Sequence, residues 1–156
     1  WSFIWFSAFN SIWIFLIIAL YKKMISPKII KIASNTQYAG LKNIYTHKSS
    51  LKNTTCGDKI SLELVANKTK INSIRYKTES CILCEASASL LANKMKNYSI
   101  KSVKKDIDRL KQTIINKDYK IPLKFKEFKY LIDKNNLNRI NCIILPLEAL
   151  LKAFKL

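Results

Sequence analysis

Cysteine carries the most reactive side chain in this 156-residue sequence, and three of its four cysteines stand in settings that suit a metal-binding thiolate. They are Thr55-Cys56-Gly57-Asp58, Ser80-Cys81 and Arg139-Ile140-Asn141-Cys142. The intervals between them are too long and too unequal for a local zinc finger. Each lies instead where a polar loop meets a periodic segment, so that folding can bring the three to one point. Cys56 and Asp58 are two residues apart, and extended backbone would project both to one face. Three thiolates and a carboxylate make the four ligands that tetrahedral zinc takes. The competing reading is that these cysteines are small buried hydrophobes, as free cysteines often are. Cys84 follows Cys81 by one helical turn, and Cys81-x-x-Cys84 reads either as a redox or half-zinc pair or as a buried small side chain at Cys84. His47, the single histidine, lies in a lysine-rich stretch and is expected to be solvated rather than a ligand.

The elements that must position these residues follow from hydrophobic period. Cys81 is expected just before a helix over residues 84–96, and Cys142 just before one over 145–154 with Pro146 in its opening turn. Helix starts offer free amides and a partial positive charge that favour anionic groups. Cys56, beside Gly57, is expected on a mobile loop. Strand-like alternation covers residues 40–48, 58–66 (Ile60, Leu62, Leu64, Ala66) and 71–78, with a turn at Asn67-Lys68. Further helices are expected over 25–33, with Pro27 in the first turn, over 99–116 and over 124–133. The stripe Ile100, Val103, Ile107, Leu110, Ile114 reads as core. Strands followed by helices make the fold class α+β: a small antiparallel three-stranded sheet packed against several helices.

Composition bounds the rest. This length predicts one domain. The 28 basic residues against 10 acidic ones give a net charge of +18, which admits nucleic acid or anionic lipid as a partner. Only Arg75, Arg109 and Arg139 are arginines, however, and the lysines are scattered. The charge therefore reads as solvated surface shaped by an AT-rich genome, with nucleic acid as the lesser reading. Four oddly spaced cysteines do not make a secreted disulfide framework and suit a reducing cytoplasm. Residues 1–20 are apolar apart from Ser2, Ser7, Asn10 and Ser11. That length suits a membrane-spanning helix, while a signal peptide would need a basic leading region that is absent here. The first methionine is Met24, and the favoured reading is translated upstream sequence or a vestigial extension over 1–23, followed by one domain over 24–156.

Taken together, these residues resemble the U-type iron–sulfur assembly scaffolds (the IscU, SufU and NifU N-terminal group), from about Ile25 to Phe154. Asn35 and Gly40 stand where that family has Asn-Pro-Arg-Asn-x-Gly. Thr55-Cys56-Gly57-Asp58 matches its first cysteine motif. Cys81 with Ala86-Ser87-Ala88-Ser89 resembles the second, and Arg139-x-x-Cys142-x-x-Leu145 with Ala149-Leu150 the third. The chain's two glycines, Gly40 and Gly57, both fall on family glycines. The resemblance is closest to SufU. The stretch between second and third cysteines is long, Asn141 stands where IscU-type members have His, and Arg139 precedes the third cysteine by three. Departures from SufU are Asn141 for Lys, Ser80 for Gly, Cys84 for Ser and Thr36-Gln37 for Pro-Arg.

The resemblance implies a scaffold or sulfur relay rather than a conventional enzyme. It makes Cys56, Asp58, Cys81 and Cys142 the ligands of zinc or an iron–sulfur cluster, Cys56 the sulfur acceptor, and Cys84 a substitute ligand if any. Arg139 would lie near the negative charge of the centre. The implied partners are a SufS-type cysteine desulfurase and downstream iron–sulfur assembly proteins, in the cytoplasm. A reading from another class is a membrane-anchored basic domain with a structural zinc site, binding nucleic acid or anionic lipid. A structural site is closed and inert, whereas a relay site must expose a reactive thiol.

Overall fold

The computed structural model describes residues 26–118 and 120–155. Its centre is a three-stranded antiparallel sheet in the order β1-β2-β3, formed by His47–Lys52, Lys59–Ala66 and Ile71–Glu79. Alternation builds it: Ile60, Leu62 and Leu64 of β2 and Ile74 and Tyr76 of β3 are buried on the helix-facing side. The register then decides what meets at the sheet's end. Lys52 pairs with Lys59, so residues 53–58 close the β1–β2 hairpin. Lys59 also pairs with Glu79, so the chain leaves β3 beside the start of β2. Cys56, Asp58 and Cys81 are thus delivered to one end of the sheet by strand pairing alone.

The helices are α1 (Pro27–Ala33), α2 (Ile82–Met95), α3 (Ile100–Ile115) and α4 (Ile140–Ala153), with two 3₁₀ segments, Leu123–Tyr130 and Lys134–Arg139. Helix α2 is the central helix and is buried on nearly all sides, between the sheet, α1 and α4. Its Ala86-Ser87-Ala88-Ser89 run permits close approach, and the buried hydroxyls are satisfied across the contacts. Ser87 Oγ donates to the Ile143 carbonyl at 2.6 Å and Ser89 Oγ to the Asn35 carbonyl at 3.0 Å. From the sheet, Ser49 Oγ donates to the Ala149 carbonyl at 2.6 Å. Helix α4 is therefore pinned from both sides. On α3, Val103, Ile107, Leu110 and Ile114 are buried as their spacing predicts.

Three expectations need correction. The first strand is His47–Lys52, not residues 40–48. The 40–46 stretch is a loop because the buried Glu63 carboxylate takes its backbone donors: Oε2 accepts from the amides of Lys42 at 2.9 Å and Asn43 at 3.0 Å. Asn43 also has a φ of 57°, which no strand tolerates. The last helix begins at Ile140, so Pro146 lies inside it rather than in its opening turn. Residues 124–133 form no α-helix. They contribute a 3₁₀ segment that buries Phe125 and Phe128. The apolar segment over residues 1–23 lies outside the described residues. Among those described, no helix is long and apolar enough to cross a membrane.

Candidate metal centre

The hairpin loop that carries Cys56 is organised by Asn53. Its Oδ1 accepts from the Thr55 amide at 2.9 Å, the turn geometry that asparagine side chains favour. Its carbonyl accepts from the Gly57 amide at 2.9 Å, and its own amide donates to the Asp58 carbonyl at 2.8 Å. Gly57 has a φ of +77°. A tight turn, not the extended backbone expected from the two-residue spacing, brings Cys56 and Asp58 to one side. Added atoms at Gly57 would meet nothing within 4 Å, so the cost of a side chain there is conformational. We expect Gly57→Ala to destabilise the protein by about 1 kcal/mol, since the left-handed region is unfavourable for alanine. Chemical denaturation checks this.

Cys81 caps the N-terminus of α2 in extended conformation, and its amide donates to Asp58 Oδ1 at 3.0 Å. Cys142 lies within the first turn of α4 rather than before it, and is only 4% exposed. Its Sγ is 3.4 Å from the Cys56 Sγ. Ligand atoms of Cys56, Asp58 and Cys142 all lie within 4.8 Å of one another. Cys81 shares with them a cavity of about 180 Å³, rimmed by Asn138, Arg139 and Asn141, although its sulfur stands outside the tight trio. All four expected ligands thus face one cavity.

The electrostatics suit a cation. Asp58 is 5% exposed, and its Oδ2 has no hydrogen-bond partner among the described residues. A buried carboxylate oxygen is rarely left so. Burial alone would raise the Asp58 carboxyl, but the neighbouring Cys142 thiol, the Cys81 amide and the Cys56 thiol together hold it below its ordinary value. The carboxylate is charged. Burial and the adjacent Asp58 carboxylate push the Cys142 thiol well up. The helix start, expected to favour a thiolate there, is outweighed by this desolvation. Ionising that thiol beside an ionised Asp58 therefore calls for a positive ion between them. A donor set of soft sulfurs and one carboxylate fits zinc or iron.

Arg139 lies at the cavity rim, exposed, and makes none of the ion pairs among the described residues. Cys84 is fully buried in the core and does not line the cavity, and burial pushes its thiol up to about 12. His47 opens β1, at the far end from the loop. Its ring centroid is 4.7 Å from that of Phe154, and Nδ1 lies 2.8 Å from Thr46 Oγ1. It is a half-buried packing residue rather than a freely solvated one. Sequence reasoning missed Asn53, whose place at the head of the polar run Asn53-Thr54-Thr55 was the available signal.

Comparison with known proteins finds a family match and a shared fold. The model of the NifU-like N-terminal domain matches residues 24–131, which include Cys56, Asp58 and Cys81 and stop short of Cys142. The iron-sulfur cluster assembly scaffold protein IscU of Thermotoga maritima is 25% identical over 137 residues, covering 87% of this chain and 96% of that protein. Among solved structures, the N-terminal part of a NifU-like protein from Brucella abortus superposes with a TM-score of 0.74 at 16% identity, covering 83% of this chain and 91% of the other. A putative scaffold protein for the SUF system from Fervidobacterium islandicum AW-1 superposes with a TM-score of 0.71 at 18% identity, covering 84% and 96%. These structural likenesses establish a shared fold.

Proposed function

The chain belongs to the NifU-like N-terminal domain family, and from that premise we propose that it is an iron–sulfur cluster assembly scaffold of the SufU type. The observation that carries the reading is the convergence of Cys56, Asp58, Cys81 and Cys142 on one cavity around an unpaired, buried carboxylate oxygen. Those four residues would hold zinc, or the iron and sulfide that are the scaffold's cargo. When bound, the ion would keep the thiols deprotonated and the site ordered. Arg139 at the rim supplies a positive charge to a net negative centre.

Cys56 is the sulfur acceptor in this reading. It is the exposed cysteine of the set, on a turn rather than a helix. Its thiolate attacks the outer sulfur of a persulfide on a SufS-type cysteine desulfurase. A Cys56 persulfide forms and the donor cysteine departs as a thiolate, so sulfur moves without net oxidation. The exposure of Cys56 favours a relay over the closed structural zinc site of the membrane-anchored alternative. Downstream iron–sulfur assembly proteins would receive the product, in a cytoplasm that keeps thiols reduced.

The test is reconstitution. Purified protein incubated with desulfurase, cysteine, ferrous iron and a reductant should acquire protein-bound iron and acid-labile sulfide together, with thiolate-to-iron absorbance in the visible. Protein that retains neither, and gains no sulfane sulfur from the desulfurase, would overturn the reading. The functional domain is residues 24–156 in this proposal, supported by the family match beginning at Met24. A truncation starting at Met24 should bind the same molar ratio of zinc as the full chain, measured by metal analysis after gel filtration.

A further inference from the structure

The contact between Cys56 and Cys142 is closer than sulfur acceptance requires. Their sulfurs are 3.4 Å apart, about van der Waals contact, while the Cys81 sulfur stands outside the trio and Cys84 is buried in the core. The two thiols also differ in exposure. Cys56 faces solvent, where a partner can reach it, and Cys142 is buried behind it. Cys142 is held firmly. It lies in the first turn of α4, with Ser87 bonded to the carbonyl of the next residue and Ser49 to that of Ala149 further along the helix. The Cys56 turn rests on hydrogen bonds within its own loop.

Resting on the reading of Cys56 as acceptor, we propose that Cys142 is a resolving thiol that cleaves the Cys56 persulfide and releases its outer sulfur as sulfide inside the site. The Cys142 sulfur attacks the inner sulfur of the persulfide, the Cys56 Sγ that it already touches. A Cys56–Cys142 disulfide forms and the bond to the terminal sulfur breaks. The terminal sulfur leaves with the bonding pair and takes the Cys142 proton, departing as hydrogen sulfide. The sulfane sulfur is reduced by two electrons, and the two cysteine sulfurs are oxidised by one electron each. A dithiol reductant from solution then reopens the disulfide and resets both thiols. Sulfide is thus produced beside the residues proposed to hold iron. The 3.4 Å contact selects attack on the inner sulfur over relay of the persulfide to Cys142.

The experiment loads the full-length protein as purified with a small-molecule cysteine persulfide, bypassing the desulfurase. Released sulfide is measured, and peptides are mapped by mass spectrometry without reduction. Wild type should release roughly one sulfide per persulfide, with the Cys56 and Cys142 peptides joined by a disulfide. Cys142→Ser should retain the persulfide on Cys56 and release sulfide at least about tenfold more slowly. Mapping of wild type stands whether or not that variant folds. A stable Cys56 persulfide in wild type, a disulfide to Cys81, or a persulfide moved intact to Cys142 overturns the proposal while leaving Cys56 as acceptor. Failure of Cys56 to load from the small molecule overturns both readings. Loading from the small molecule but not from the desulfurase overturns only the partner assignment.

Discussion

Cys56→Ser will reduce stimulation of a SufS-type cysteine desulfurase to the level seen without this protein. A serine hydroxyl has nearly the size of the thiol, so the turn built by Asn53 and Gly57 should persist. What is lost is a sulfur nucleophile that can attack a persulfide. Without an acceptor, the desulfurase persulfide has nowhere to discharge, and turnover falls to the background set by small thiols. Cys84→Ser should keep most of the stimulation, because Cys84 is fully buried and does not line the cavity. The assay is alanine production by the desulfurase with and without each variant. Equal stimulation by wild type and Cys56→Ser would remove Cys56 from the acceptor role. Equal stimulation by every cysteine variant would point to the structural zinc reading instead.

The contrast between these two cysteines shows what a sequence can reveal of such a site. The alternation in residues 59–66 and 71–79 and the stripe on α3 are local signals, and all three elements are where the pattern puts them. Convergence of the ligands is a matter of register, which alternation does not encode. It follows from Lys59 pairing with both Lys52 and Glu79. The motif resemblance supplied what spacing could not. Errors arose where a tertiary partner outweighed local preference. Glu63 alternates as a solvent-facing residue of β2, yet the 40–46 loop folds over it and buries it to 2% exposure. A strand pattern over 40–48 was lost to that one carboxylate. Pro146 fits a helix start by propensity, but packing of Cys142, Ile143 and Ile144 carries α4 back to Ile140. The proline leaves the Cys142 carbonyl without its helical amide, a cost that the packed first turn tolerates.

Asp58→Asn will separate the charge of this centre from its shape. Asparagine keeps an oxygen that can accept the Cys81 amide, now bonded to Asp58 Oδ1 at 3.0 Å, so α2 should start in the same place. It removes the negative charge and replaces one carboxylate oxygen with a donor that repels a cation. Loss of a partner that only orients a metal ligand typically lowers metal affinity by about 10–100-fold, and loss of a ligand charge should cost at least the upper end of that range. Asp58→Ala should weaken zinc binding as much and also destabilise the metal-free protein by about 1–3 kcal/mol, because the Cys81 amide loses its acceptor. The metal-free Asn variant should lose less than that, since it keeps the acceptor for the Cys81 amide and gives up only the charge that this amide and the neighbouring thiols stabilise. Two measurements decide this. Zinc titration against a chromophoric chelator gives the affinities. Thermal unfolding with zinc held at one hundred times the wild-type dissociation constant should stabilise wild type by about 2.7 kcal/mol and Asp58→Asn by far less. An Asn variant that holds zinc as tightly as wild type would take Asp58 out of the ligand set. It would leave three cysteines and the exposed Arg139 rim to account for the centre.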